Sequence, residues 1–110
     1  MRVISVKAFR DFCEVHPQAN DSFARWLTAA EKTDWRTWAD LRATFPSADL
    51  YRKCIVFNIG GNHYRVIAFV RYSRQLEDGR WTMGRIYVRN VLTHADYERN
   101  TWKAECEREE

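Results

Sequence analysis

At 110 residues, with 45% apolar and 30% charged side chains, the chain has the composition of one small globular domain that builds its core without staples. Net charge is only +3, and no stretch approaches the ~20 apolar residues of a membrane-spanning helix. The opening Met-Arg-Val-Ile-Ser-Val-Lys-Ala-Phe-Arg carries charges where a secretory leader needs an apolar run. Three cysteines, Cys13, Cys54 and Cys106, are odd in number and spaced too widely for a zinc clip or a disulfide framework. A reducing, cytoplasmic setting is therefore expected.

In chain order the pattern reads β-α-α-(short α)-β-β-β-α, an α+β fold with N-terminal helices on one face of a mostly antiparallel sheet. Arg2–Ser5 is too short to stand alone and is expected to add as a strand to the later sheet. Ser5 is placed to cap a helix from Val6 to about His16, with Val6, Phe9, Phe12 and Cys13 on one stripe. Pro17 breaks it. A second helix is expected over about 18–33, its core stripe formed by Phe23, Trp26, Leu27 and Ala30. Trp35, Trp38, Ala39 and Leu41 continue helically to Phe45, and Pro46–Asp49 forms a loop. No repeat, low-complexity tract or internal boundary divides the sequence, so 1–110 reads as a single domain.

Cys54–Tyr72 reads as a β-hairpin turning at Gly60-Gly61, which can take the positive φ of a two-residue turn. That turn pairs Ile59 with Asn62, Asn58 with His63, Phe57 with Tyr64 and Val56 with Arg65. One face then carries Ile55, Phe57, Ile59, Tyr64, Val66, Ala68 and Val70 and belongs to the core. The other carries Cys54, Val56, Asn58, His63, Arg65, Ile67, Phe69 and Arg71. Cations and apolar groups alternate there, a surface suited to an anionic polymer with flat bases. Asp78-Gly79 marks another turn, and Trp81–Leu92 reads as a third long strand alternating on Arg85, Tyr87, Arg89 and Val91. Thr93-His-Ala-Asp96 fits a capping box that opens the last helix.

Charge segregates along these elements. Residues 1–49 hold seven basic and seven acidic side chains, residues 50–92 eight and two, and residues 93–110 three and six. The whole positive excess falls on the sheet segment, which favours a phosphate-backbone partner over a merely solvated face once the aromatics are counted.

The chemistry gathers where the sheet meets the last helix. His94 and Tyr97 are three residues apart on one helix face, and an antiparallel sheet can bring them beside Arg65, Arg71 and Arg89. Arginine, histidine and tyrosine without a carboxylate pair or metal cluster argue against glycosidase, protease and metalloenzyme chemistry. They fit RNA cleavage by the 2′-hydroxyl on the adjacent phosphate, which needs a proton acceptor, a proton donor and positive charge. On spacing alone, Tyr97 as a helix-to-sheet seal and His94 as a first-turn surface residue remain the commoner readings.

Val56-Phe-Asn-Ile-Gly-Gly-Asn-His-Tyr-Arg-Val-Ile-Ala68, with Val91-Leu-Thr-His-Ala-Asp-Tyr97 after it, resembles the HigB family of toxin ribonucleases within the RelE/ParE superfamily. The likeness extends to Trp35, Trp38 and Phe45-Pro-Ser-Ala-Asp49. It implies a RelE-like fold, cleavage of mRNA on translating ribosomes without a metal or other cofactor, and neutralisation by a HigA-type helix-turn-helix antitoxin in a heterotetramer. By the same resemblance Arg65 corresponds to a phosphate-binding arginine, and His94 and Tyr97 to a C-terminal catalytic cluster. Arg89 is expected to assist Arg65. Arg52, Lys53, Asn58, Asn62, His63, Arg71 and Arg74 are expected to contact mRNA or rRNA. The rival readings are a ParE-like, non-catalytic inhibitor of DNA gyrase and an RNA-binding module without turnover.

Overall fold

A computed structural model describes residues 1–108; the end of the acidic tail, Glu109 and Glu110, lies outside the described residues. Five strands form one sheet, β1 (Arg2–Ile4), β2 (Asp49–Tyr51), β3 (Cys54–Ile59), β4 (Tyr64–Arg71) and β5 (Arg85–Thr93), in the order β1-β5-β4-β3-β2. Only β1 pairs in parallel, along β5; all other pairs are antiparallel. The N-terminal segment thus joins the later sheet, as its shortness requires. The helices are α1 (Val6–Val15), α2 (Asn20–Glu31), α3 (Trp38–Thr44), α4 (His94–Glu98) and α5 (Lys103–Glu107), with a 3₁₀ turn at Pro17–Ala19.

α1 and α2 bury Phe9, Phe23, Trp26 and Ala30 against Ile55, Phe57, Ile59, Val66, Ala68, Ile86 and Val88 of the sheet. Aromatic edges and faces lock this core, with Trp26 5.2 Å and Phe45 5.4 Å from Phe57 by ring centroids. Thr37 caps α3 by accepting from the Asp40 N–H at 3.1 Å. Ser5 does not cap α1 with its side chain; it sits at φ +79, and its carbonyl accepts from the Ala8 N–H instead.

The hairpin differs from the expected two-residue turn. Ile59 pairs with Tyr64, Asn58 with Arg65 and Phe57 with Val66, around a four-residue loop. Gly60 and Gly61 both take positive φ (+63 and +67), and the loop is closed by His63 N–H donating to Gly60 O. Within the loop, Asn62 O accepts from Arg65 Nη1 and His63 O from the His94 N–H. A two-residue slip leaves each side chain on its expected face, since the strand period is two.

β5 begins at Arg85 rather than Trp81, and a bulge leaves Arg89 between Val88 (opposite Ala68) and Asn90 (opposite Ile67). The extra residue reverses the alternation. Val91 therefore packs with the main core, whereas Leu92 joins the opposite face, against the expectation that Val91 follows Arg85, Tyr87 and Arg89. β2, not anticipated as a strand, adds to the sheet between the expected loop and the hairpin, and Arg52 takes φ +55 in the tight turn before β3.

The sheet's second face is not open along its whole length. The expected last helix is two short ones, broken where Asn100 adopts φ +63, and the break turns α5 back over β3 and β4. Trp102 and Cys106 then close a smaller core with Cys54, Val56 and Ile67. Cys54 and Cys106 form a disulfide across a sequence separation of 52, which corrects the reading of the cysteines as too widely spaced to pair and removes the ground on which a reducing setting was expected. Spacing along the chain does not limit contact once α5 folds back. Cys13 is the free thiol, and burial pushes its pKa up.

Protein purified without reductant should give one thiol per chain by titration and three after reduction and unfolding. Reduction should lower stability by about 2–4 kcal/mol, read as a lower urea midpoint with an equal or steeper slope, since the freed unfolded chain exposes more surface.

Candidate active site

Three side chains from β4 and α4 converge at the open end of the sheet. Arg65 is only 7% exposed although it is charged. Its Nη1 donates to the carbonyls of Asn62 (2.9 Å) and Tyr64 (3.1 Å), which fixes the guanidinium plane. Its Nη2 lies 3.4 Å from His94 Nδ1, and its central carbon lies 4.8 Å from the centroid of the Tyr97 ring. Two of its five donors are thus spent on structure and one Nη2–H faces His94, so a ligand takes that edge by displacing the His94 contact.

Thr93 Oγ1 accepts from the Asp96 N–H at 3.2 Å and starts α4, while His94 N–H donates to His63 O at 2.9 Å. This second bond ties the helix start to the hairpin loop. His94 Nε2 faces Glu98 Oε1 at 3.3 Å, one helical turn on. Contact with Arg65 on one nitrogen and Glu98 on the other suits the tautomer protonated at Nε2. Nδ1 then carries its lone pair toward Arg65.

Tyr97 stacks on Trp102 with centroids 5.2 Å apart and planes 12° apart, and Trp102 Nε1 donates to Tyr97 O at 3.0 Å. Trp102 is in turn seated by the Cys54–Cys106 bridge beneath it. Sequence reasoning missed both Glu98 and Trp102. The i,i+4 spacing from His94 could have found Glu98. Trp102 could not be found without the turn at Asn100.

The other expected site residues are dispersed. Arg89 turns away from Arg65: its Nε donates to Glu105 at 2.6 Å, and the guanidinium lies 5.1 Å over the Phe69 ring. Lys53 lies over the same ring. Arg71 stands six residues from Arg65 along β4, on the same face and about 20 Å away at the usual strand rise. Asn58 donates to Ser47 O at 3.4 Å, and exposed Asn62 and His63 ring the hairpin tip beside Arg65. Arg52 and Arg74 are exposed, in the β2–β3 turn and after β4. Among the described residues no group of three or more His, Cys, Asp or Glu is arranged to hold a metal ion. No helix there is long and apolar enough to cross a membrane.

Residues 19–100, which carry the hairpin and the Arg65–His94–Tyr97 cluster, match the family described as "HigB_toxin, RelE-like toxic component of a toxin-antitoxin system". The chain belongs to the HigB toxin family. It is 33% identical over 101 residues to the "mRNA interferase toxin HigB" of Escherichia coli strain K12, covering 89% of this chain and 88% of that one. Identity and coverage are the same for the "mRNA interferase HigB" of Shigella flexneri. The "mRNA interferase HigB" of Escherichia coli O6:H1 is 28% identical, covering 92% of each chain. As the toxic component of a toxin–antitoxin pair, a member of this family has an antitoxin as its partner.

Trp102→Phe should keep the stack on Tyr97 and lose the Nε1 hydrogen bond, costing about 0.5–1.5 kcal/mol in urea unfolding. Trp102→Ala should cost about 3–5 kcal/mol, because it also opens a cavity under Tyr97.

Proposed function

We propose that this HigB-family toxin, acting as one domain over 1–110, is an endoribonuclease that cleaves mRNA by 2′-hydroxyl attack on the neighbouring phosphate. The observation that carries the reading is the convergence of Arg65, His94 and Tyr97, with His94 Nδ1 3.4 Å from Arg65 and the Tyr97 ring 4.8 Å from it. The names of the Escherichia coli and Shigella relatives support the substrate.

Arg65 holds the scissile phosphate through its fork edge toward His94 and stabilises the charge of the pentacoordinate phosphorane. As the phosphate takes that edge the Nδ1 lone pair is released from Arg65, His94 Nδ1 takes the 2′ proton, and Glu98 balances the imidazolium that forms. Tyr97 donates its phenolic proton to the departing 5′-oxygen. The bond between phosphorus and the 5′-oxygen breaks as that between phosphorus and the 2′-oxygen forms, leaving a 2′,3′-cyclic phosphate and a 5′-hydroxyl. The proton account closes on protein groups alone, so no step needs a metal. Asn62 and His63 at the hairpin tip, with Asn58, Arg52, Lys53, Arg74 and Arg89 beyond it, are the RNA and ribosome contacts in this reading. The antitoxin is of the HigA helix-turn-helix type, the complex a heterotetramer, and the setting the cytoplasm.

His94→Ala and Tyr97→Phe should each slow cleavage by about 100-fold or more. Wild-type rate in Tyr97→Phe with loss in Tyr97→Ala would reassign the ring to base stacking. Arg65→Ala should lose about 100- to 1000-fold in rate. It should also lose about 1–3 kcal/mol of stability, because the Asn62 and Tyr64 carbonyls lose their donor. Rates are therefore compared only where the melt shows a folded protein.

A 2′-O-methyl group at the cleaved nucleotide should stop the reaction, and cleavage should need no added metal beyond what keeps the ribosome intact. Products with 5′-phosphate ends would overturn the mechanism. Growth arrest with intact mRNA and trapped gyrase–DNA complexes would overturn the function itself.

A further inference from the structure

Away from Arg65, three strands place three arginines side by side on the same sheet face. Arg2 of β1 is in register with Arg85 of β5, and Arg85 is directly opposite Arg71 of β4. All three are exposed, and among the described residues no carboxylate lies within ion-pair distance of any of them. Directly opposed side chains in a sheet stand about 4.5–5.5 Å apart at Cβ, and like charges so placed repel. The register is fixed by Val3, Ile86 and Val70, their neighbours, which face the core; a slip that separated the cations would expose those apolar groups.

Beside the row, Phe69, Val70, Arg71, Tyr87 and Arg89 line a cleft of about 380 Å³. Arg85 Nη1 donates to the Tyr87 hydroxyl oxygen at 3.5 Å. The arginines hold the Tyr87 hydroxyl below its usual pKa, chiefly through that bond to Arg85, with Arg71 and Arg2 adding to it. Arg89, committed to Glu105, closes one side.

We infer that the Arg2–Arg85–Arg71 row with Tyr87 is a second anion site, which binds consecutive phosphates of an RNA strand about 20 Å from Arg65 on the same sheet face. The arginines grip phosphate oxygens and relieve one another's repulsion. Tyr87 provides a hydroxyl donor and a flat ring at the cleft wall. Arg2, Arg85 and Tyr87 thereby become part of the RNA track, and Arg71 works with them rather than with Arg65. The choice of RNA among polyanions rests on the proposed function; the anion site itself rests on the geometry.

A labelled, fully 2′-O-methylated RNA oligonucleotide, which resists cleavage, tests it by anisotropy across a salt series. Each phosphate contact on a single strand contributes about 0.7 to the slope of log affinity against log salt. Arg71→Gln/Arg85→Gln should therefore lower the slope by roughly 1.4, and adding Arg2→Gln by roughly 0.7 more. Arg71→Lys/Arg85→Lys, keeping the charge, should hold the wild-type slope and melt like the wild type, while the Gln variants, relieved of the repulsion, should melt no lower than it.

An unchanged slope in a folded Gln variant overturns the site, as does a wild-type protein that fails to bind this RNA. Loss of antitoxin binding in the Gln variant with RNA binding intact also overturns it, by assigning the row to a protein. The two readings separate cleanly. Arginine-dependent RNA binding without cleavage of unmodified mRNA, free or on translating ribosomes, leaves the site standing and removes the nuclease; cleavage with an unchanged slope does the reverse.

Discussion

The attachment of α5 to the sheet is the constraint on which the candidate active site depends. Three unlike interactions make it: the Cys54–Cys106 disulfide, the Arg89–Glu105 ion pair, and the Tyr51 hydroxyl donating to Glu107 at 2.6 Å. Between them they seat Trp102, which seats Tyr97, which in turn covers Arg65. A surface ion pair alone contributes little. The covalent bridge over a long loop contributes more, and the buried Trp102 ring the rest. Remove the helix and the second sheet face would be an open apolar strip with a solvated arginine at its edge.

Covering Arg65 has a chemical purpose. A guanidinium at the end of a free side chain spends much of its attraction for phosphate on ordering itself and on shedding water. Here two backbone carbonyls hold its plane before any ligand arrives, and the Tyr97 ring excludes solvent from one side. Cations fixed in advance and partly desolvated stabilise developing charge far better than mobile ones. The hairpin loop supplies one of those carbonyls and also receives the His94 N–H, so a turn that looked merely connective organises both members of the pair.

Much of this was legible in the sequence. Period-two apolar runs gave β3 and β4, period-3.6 stripes gave α1 and α2, and the Thr93 capping box located the start of α4. The meeting of Arg65, His94 and Tyr97 was anticipated from the order of elements and from family resemblance. What escaped has a common cause, which is that single residues with unusual backbone geometry redirect the chain. The bulge at Arg89 sent Val91 and Leu92 to the faces opposite to those expected. Asn100 in the left-handed region folded α5 back, and with it came the disulfide, Trp102 and the closing of the second face. The lateral arginine row needed the parallel pairing of β1 with β5, and no pattern local to either strand states which strand its neighbour will be.

That parallel pairing also sets the order in which the molecule can become complete. β1 has no partner until β5 exists, about eighty residues later in the chain, so its contacts with β5 are among the most non-local the fold contains. Helices α1 and α2 can pack while the chain is still growing, whereas β5 and α4 follow every other strand. A nascent chain on the ribosome therefore holds a hydrophobic half-core and no assembled cluster at Arg65. Competence waits for β5 and α4.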